Sequence, residues 1–433
     1  MDFVIVNPSL PNPMGEFAAI EPPIWCVINA GVTQREGKSA VIIDADLEQL
    51  TPQQTAQRIL KHKPRVTLLL AMGANPSASS TPKMDAIIEI SHLLKGKTAI
   101  GIGGLHAVAL PTTTLRQCDA DFIITAPLMQ SLIDLPSASW GLLPMNKYRA
   151  HNWHCLDGSD RGHYGVIYTS YGCPFNCSYC NVHTIYGGKA MVKYRKPQDV
   201  VDEIGLLVKK YSVRNLKFAD ELFTIREDRI QQLCDLLIKQ KYNLNIWAYA
   251  RAEMVNPWML KKMKKAGINW LCYGFESASA DVLEGVSKGD QYGMMKQAVQ
   301  MTHDAGINII GNFIFGLPED NLDTMRDTLS MAKEFNCEYV NFYVAMAYPG
   351  SKLYMDALQS GVKLPEKWAD YGQFSPNVLP LPTKYLSAEE VLSFRDMAFQ
   401  DYFNDKVYQD LIGRKFGDKA VKHIKKMLGV KIR

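Results

Sequence analysis

The stretch YTSYGCPFNCSYCNVH places Cys173, Cys177 and Cys180 within eight residues of one another. Thiolates spaced by three and then two residues can wrap one face of a metal centre. Two metal readings follow from the residues. A structural zinc would take His183 as its fourth ligand, since Cys180-x-x-His183 has workable spacing. A 4Fe–4S cluster would take the three thiolates and leave one iron open. Unconnected buried thiols would not crowd into so short a stretch. A zinc ribbon or finger needs its ligands on their own hairpin, whereas this loop opens a long series of alternating elements.

That series must position the loop. From Val166 onward the runs GVIYTSY, NLKFAD (215–220), NIWAYA (245–250), WLCYGFE (270–276), INIIGNFIFG (307–316) and YVNFYVAM (339–346) read as strands. Each pair is separated by enough chain for a helix. Six such units predict a partial (β/α)6 barrel, with chemistry at the C-terminal mouth of its strands. Ahead of it, FVIVNP, SAVIID, RVTLLLAMG, KTAIGIGG and DFIITAP alternate with helical stretches at 25–36, 51–61, 83–95 and 112–118. This pattern predicts a Rossmann-like parallel sheet covered on both faces, with any ligand beyond the strands' C-terminal ends. Those ends carry Asn7-Pro8, Asp44, Gly73-Ala74-Asn75-Pro76-Ser77 and Gly103-Gly104, small or polar residues that let a backbone approach a ligand closely. They would equally serve ordinary strand-to-helix turns. The expected divisions are a sheet domain over 1–135, a linker over 136–163, the barrel over 164–365 and a mostly helical C-terminal region over 366–433.

Composition narrows the class. Of 433 residues, 47% are hydrophobic and 21% charged, the balance of a globular protein. The net charge of +4 is too small to argue for nucleic acid. The basic tail KKMLGVKIR reads equally well as a solvated helix face, so a zinc-stabilised nucleic-acid-binding protein is the remote alternative. No apolar run reaches membrane-spanning length, and MDFVIVNPSL has no basic segment before its apolar stretch. Nine cysteines without a secretory signal predict reduced thiols and a cytoplasmic setting.

The barrel resembles the radical S-adenosylmethionine (SAM) superfamily. CxxxCxxC after the first barrel strand, with the aromatic Tyr179 before the last cysteine, is similar to that family's signature, and the later strands carry matching motifs in order. The resemblance implies a 4Fe–4S cluster on Cys173, Cys177 and Cys180, with SAM completing the open iron's coordination. One electron then cleaves a carbon–sulfur bond of SAM to give a radical that abstracts hydrogen from carbon. It also implies SAM contacts from Asp220 and Glu221 of FADELF, and from Arg251 and Glu253 of YARAEM. Glu276 and Ser277 of GFES, Asn312 and Gly316 of GNFIFGLPED, and Tyr348 of AYPGS complete the expected set. An acid suits the ammonium of SAM and a guanidinium its carboxylate. Each could instead be a structural ion pair at the barrel mouth.

The first domain resembles the cobalamin-binding domain that precedes the barrel in many of these enzymes, through VNPSLP, IEPPIW, VIIDAD and GIGGLHAVALP. The resemblance implies cobalamin contacts from Asn7, Pro8, Gly73, Ala74, Asn75, Ser77, Gly103, Gly104 and His106. Two departures stand out. No DxHxxG supplies a lower cobalt ligand, and ITAPLMQS (124–131) replaces the family's acidic stretch. A bulky side chain at Gly104 is expected to block the corrin sterically. The implied activity is cobalamin-dependent methyl transfer to an unactivated carbon of a small polar or sugar-like substrate. The alternative is a dehydratase, epimerase or cyclase with an empty first domain. The implied partners are that small molecule and an electron donor such as flavodoxin or ferredoxin, with no membrane and no nucleic acid. The C-terminal region, with Trp368, Tyr371, Phe374 and Arg395, is expected to cover the barrel mouth.

Overall fold

The architecture was obtained as a computed structural model, which describes residues 1–10, 15–73, 75–124, 139–289 and 292–430. The first strands are β1 (Phe3–Asn7), β2 (Ala40–Asp44), β3 (Val66–Leu70), β4 (Ala99–Gly103) and β5 (Phe122–Ile123). They form a wholly parallel sheet in the order β2-β1-β3-β4-β5, so the strand order reverses between β1 and β3. Period-two alternation sorts its side chains. Val4, Val6, Leu69, Ile100 and Ile102 face one way, toward Ile59 and Ile87 of the helices Pro52–Lys61 and Met84–Leu94. Ile5, Leu68 and Leu70 face the helix Ile24–Arg35 and join the core of the rest of the chain. Burial on both faces explains why these strands read as unbroken apolar runs. Local signals agree: Thr51 and Gln54 form a reciprocal capping box at the start of Pro52–Lys61, with Pro52 at the first helical position.

The second sheet contains β6 (Tyr164–Ile167), β9 (Asn215–Phe218), β10 (Asn245–Ala250), β11 (Ile268–Glu276), β12 (Asn308–Phe315) and β13 (Tyr339–Val344). All six are parallel and stand in chain order, with β6 and β13 as unpaired ends, so the barrel is partial and open. A short antiparallel pair, β7 (Ser170–Tyr171) and β8 (Lys193–Tyr194), brackets the cysteine loop. On the open edge Gln373 acts as a substitute strand. Its Oε1 accepts from the Val344 N–H at 3.0 Å, and its Nε2 donates to the Val344 carbonyl at 3.0 Å.

Two expectations need correction. The described part of the predicted linker, 139–163, is a buried wedge. Trp140, Tyr148, Trp153 and Leu156 lie in the same core as β3 and the barrel. Short 3-10 turns hold them, at Trp140–Leu142, Met145–Lys147 and Trp153–Cys155, and such turns leave no periodic pattern to read. The C-terminal region does not simply cover the mouth. Phe394 of the helix Ala388–Asn404 packs on Phe315 near the mouth, but Phe416 stacks on Trp270 and Met427 meets Tyr339 at the strands' opposite ends. Lys426 of the basic tail pairs with Glu16 at 2.7 Å, which accounts for part of its charge within the fold.

Candidate functional site

The cysteine loop leaves β6 at the barrel mouth and is tied down from below. Asp220, with no exposed surface, accepts from the Thr169 N–H at 2.6 Å, the Thr169 hydroxyl at 2.6 Å and the Ser170 hydroxyl at 2.5 Å. Arg229 reinforces the stem through the Thr169 carbonyl at 2.6 Å. Asp220 thus ties down the stem of the loop. Glu221 accepts from the Gly172 N–H at 2.8 Å and the Tyr186 hydroxyl at 2.7 Å, and burial pushes its pKa up to about 7. Gly172 takes φ +88°, and a Cβ there would lie 2.1 Å from the Met191 carbonyl oxygen, so the loop's entry requires glycine.

The three cysteines are partly exposed on this loop. Burial raises the Cys173 thiol to about 11 and Cys180 to about 12, the values of neutral thiols that a metal centre must deprotonate. Arg251 covers the loop: its guanidinium lies 3.9 Å from the Phe175 ring, and Nη1 is 3.7 Å from Cys177 Sγ. Arg251 is paired with Glu253. On the far side, Tyr179 donates to Glu276 Oε1 at 3.3 Å, and Lys288 Nζ approaches the same oxygen at 2.9 Å. A bulge in the β11–β12 register between Gly274 and Glu276, with Glu276 at φ +65°, turns this carboxylate toward the loop. Tyr186, Phe175 and Lys288 were absent from the sequence reading, because nothing local marks a side chain that reaches another element. Among the described residues no three His, Cys, Asp or Glu side chains gather as ligands of one metal ion, so the three thiols of the loop stand apart in this structure.

Other predicted residues scatter. Ser277 faces the helix Leu322–Phe335, 3.3 Å from the Thr328 hydroxyl. Gly316 closes a turn on Asp320, and a Cβ there would strike Val391 at 2.4 Å. Tyr348 is buried and accepts from Gln373 at 3.1 Å. Asn312 stands on β12, donating to Cys272 Sγ at 3.1 Å and accepting from Asn341 at 2.9 Å. The contacts of Ser277, Gly316 and Tyr348 are thus with protein.

The C-terminal edge of the first sheet meets the cysteine loop. Ser77, in the loop after β3, has its hydroxyl 4.0 Å from Cys180 Sγ. A Cβ at Gly350, beyond β13, would lie 3.1 Å from Ala109 of the helix Leu105–Ala109. The predicted glycines of this edge have reasons within the chain. A Cβ at Gly104 (φ +103°) would lie 2.3 Å from the Ala71 carbonyl oxygen, one at Gly73 would hit Ser79, and one at Gly103 would press on Ile124. Exclusion of a corrin is therefore not needed to explain Gly104. His106 is fully buried. Its Nδ1 lies 3.2 Å from Thr81 Oγ1, its ring packs edge-on to Trp368 at 4.6 Å, and burial lowers its pKa to about 3. Its Nε2 is buried with no hydrogen-bond partner among the described residues. Asn7 and Pro8 end β1 in buried positions, and Asn75 and Ser77 are partly buried; Ala74 and most of 124–131 lie outside the described residues.

Residues 167–332 match the profile of the Radical SAM superfamily. An uncharacterised methyltransferase of Pyrococcus horikoshii is 26% identical, with 88% of each chain aligned. An anaerobic magnesium-protoporphyrin IX monomethyl ester cyclase of Rubrivivax gelatinosus is 23% identical over 82% of this chain and 70% of its own. The structure of the radical SAM methyltransferase TsrM from Kitasatospora setae superimposes with a TM-score of 0.68 at 14% identity, covering 94% of this chain and 90% of that one. That of OxsB, a cobalamin-dependent SAM radical enzyme, gives 0.63 at 14% identity, covering 98% and 70%. The cysteine loop after the first strand of the open barrel lies within the stretch that matches this profile, and residues 167–332 are a Radical SAM domain.

Proposed function

We propose that this protein is a cobalamin-dependent radical SAM methyltransferase that methylates an unactivated carbon of a small polar substrate. The observation that carries the reading is the meeting of two ligand-binding edges, with Ser77 of the first sheet 4.0 Å from Cys180 of the barrel. In this reading residues 1–135 hold cobalamin and 164–365 hold the cluster and SAM. The names of the Pyrococcus and Kitasatospora proteins support methyl transfer.

The residues fit both cofactors. Cys173, Cys177 and Cys180 would hold a 4Fe–4S cluster, and SAM bound beside it supplies hydrogen abstraction from carbon. Cobalamin would lie at the β1/β3 switch point, where Asn75 and Ser77 offer polar contacts, and it would supply the transferable methyl group. Arg251 stands ready for the SAM carboxylate through its planar fork, with Glu253 fixing its orientation. Tyr179, Glu276 and Lys288 brace the loop's far side.

A one-electron carrier of the flavodoxin or ferredoxin type and a cytoplasmic setting complete the proposal. No helix among the described residues is long and apolar enough to cross a membrane. By-product analysis tests the reading. Methylation consumes two SAM per product and yields one S-adenosylhomocysteine and one 5′-deoxyadenosine. Deoxyadenosine formed in step with product, without S-adenosylhomocysteine, favours ring closure instead, the second reading that the Rubrivivax relative supports.

A further inference from the structure

Lys83 ends the 3-10 turn Thr81–Lys83 that follows the β3 loop, and it is only 3% exposed. Its ammonium donates to Asn7 Oδ1 at the C-terminal end of β1. Asn7 passes its own amide to Asp44 Oδ1 at 2.8 Å, and Asp44 Oδ2 accepts from the Tyr148 hydroxyl at 2.8 Å. Asp44 thus reaches the lysine only through a neutral amide, and no carboxylate among the described residues forms an ion pair with Lys83. Burial also raises the Asp44 pKa, which weakens it further as a counter-charge.

A buried cation whose only partner among the described residues is a neutral amide oxygen is costly, and an apolar side chain would remove that cost. An ammonium is compact and strongly hydrated, and among the described residues two of its three N–H donors have no protein acceptor. Its place is the crevice between β1 and β3, where the strand order reverses and where sheets of this order bind phosphate-bearing cofactors. The charge, the spare donors and the position together call for an anion with two or more acceptor oxygens.

We propose that Lys83, oriented by Asn7, anchors the phosphodiester of the cobalamin nucleotide loop and so selects the complete cofactor over a corrin that lacks this loop. The assignment rests on the cobalamin reading above. It separates two contact regions on the first sheet: Ser77 on the side of the cysteine loop, and Lys83 at the switch point for the nucleotide end. A charge-assisted contact of this kind corresponds to about ten- to a hundredfold in affinity.

The test is a spectrophotometric titration of the full chain with hydroxocobalamin and, separately, with cobinamide, which lacks the phosphodiester and base. Wild-type protein should bind cobalamin at least about tenfold more tightly than cobinamide. Lys83→Met should lose that preference through weaker cobalamin binding alone, with cobinamide affinity unchanged. Lys83→Arg should keep most of the preference. Cobinamide binding by Lys83→Met also reports that the sheet has folded. An unchanged preference in Lys83→Met, or equal weakening toward both corrins, overturns the anchor while leaving the cobalamin reading standing. A wild-type chain that retains neither corrin overturns both.

Discussion

Replacing Glu21 by glutamine should cost about 3 kcal/mol of stability at neutral pH, and the figure can be worked from two directions. Glu21 is carried by the chain between β1 and the helix Ile24–Arg35, yet its carboxylate lies inside the barrel. It meets Lys217 of β9 at 3.0 Å, His151 of the buried wedge at 3.4 Å and the Tyr164 hydroxyl of β6 at 3.1 Å. Burial by itself would raise its pKa, but Lys217 and then His151 overcome burial and hold it at about 2, against an ordinary 4.5. That difference corresponds to about 3 kcal/mol. Independently, removing one partner of a buried pair costs about 3–5 kcal/mol, because the other charge, here Lys217 with its side chain 3% exposed, loses its carboxylate while remaining buried. The sign follows from the lowered pKa. The contribution is complete above about 4.5 and is lost as the pH falls toward 2. Urea denaturation of wild type and Glu21→Gln at pH 7 and pH 4 measures it, with the gap between the two proteins smaller at the lower pH. Glu21→Gln/Lys217→Met should recover most of the loss. A single-variant cost below about 1 kcal/mol, or a double variant as damaging as the two singles summed, would refute the argument.

Further outcomes concern the site itself. Each of Cys173→Ala, Cys177→Ala and Cys180→Ala should abolish the visible absorbance of anaerobically reconstituted protein, whereas wild type should hold about four irons; stoichiometric zinc without iron would contradict the cluster. Arg251→Lys loses the planar fork over Phe175 and should weaken SAM binding about tenfold while the iron content stays intact, as equilibrium dialysis of the loaded protein would show. Gly104→Ala should lower the melting temperature of the ligand-free chain, because its Cβ meets the Ala71 backbone; unchanged melting with impaired cobalamin binding would restore the steric reading. Lys288→Met should destabilise the protein by about 3 kcal/mol by stranding the Glu276 carboxylate, and Lys288→Met/Glu276→Gln should restore much of it in the same denaturation assay.

What the sequence determined by itself is whatever repeats with a period or sits in a short motif. The apolar runs of β1 to β4 and of the six barrel strands, the helices between them and the cysteine loop after β6 could be placed from residue order alone. Burial on both faces of a parallel sheet writes itself locally into the chain. Tertiary structure alone decided which polar groups are spent within the fold. Asp220 and Glu221 are adjacent acids, yet one is sealed under the loop stem and the other faces Gly172 and Tyr186. Glycines that read as room for a cofactor are close contacts within the chain, with the Ala71 backbone at Gly104 and with side chains at Gly73 and Gly103. The wedge at 139–163 and the pairing of Lys83 with Asn7 join residues far apart in the chain through turns of no fixed period. A side chain's role depends on what stands opposite it, and sequence spacing carries that information only within a single helix, strand or loop.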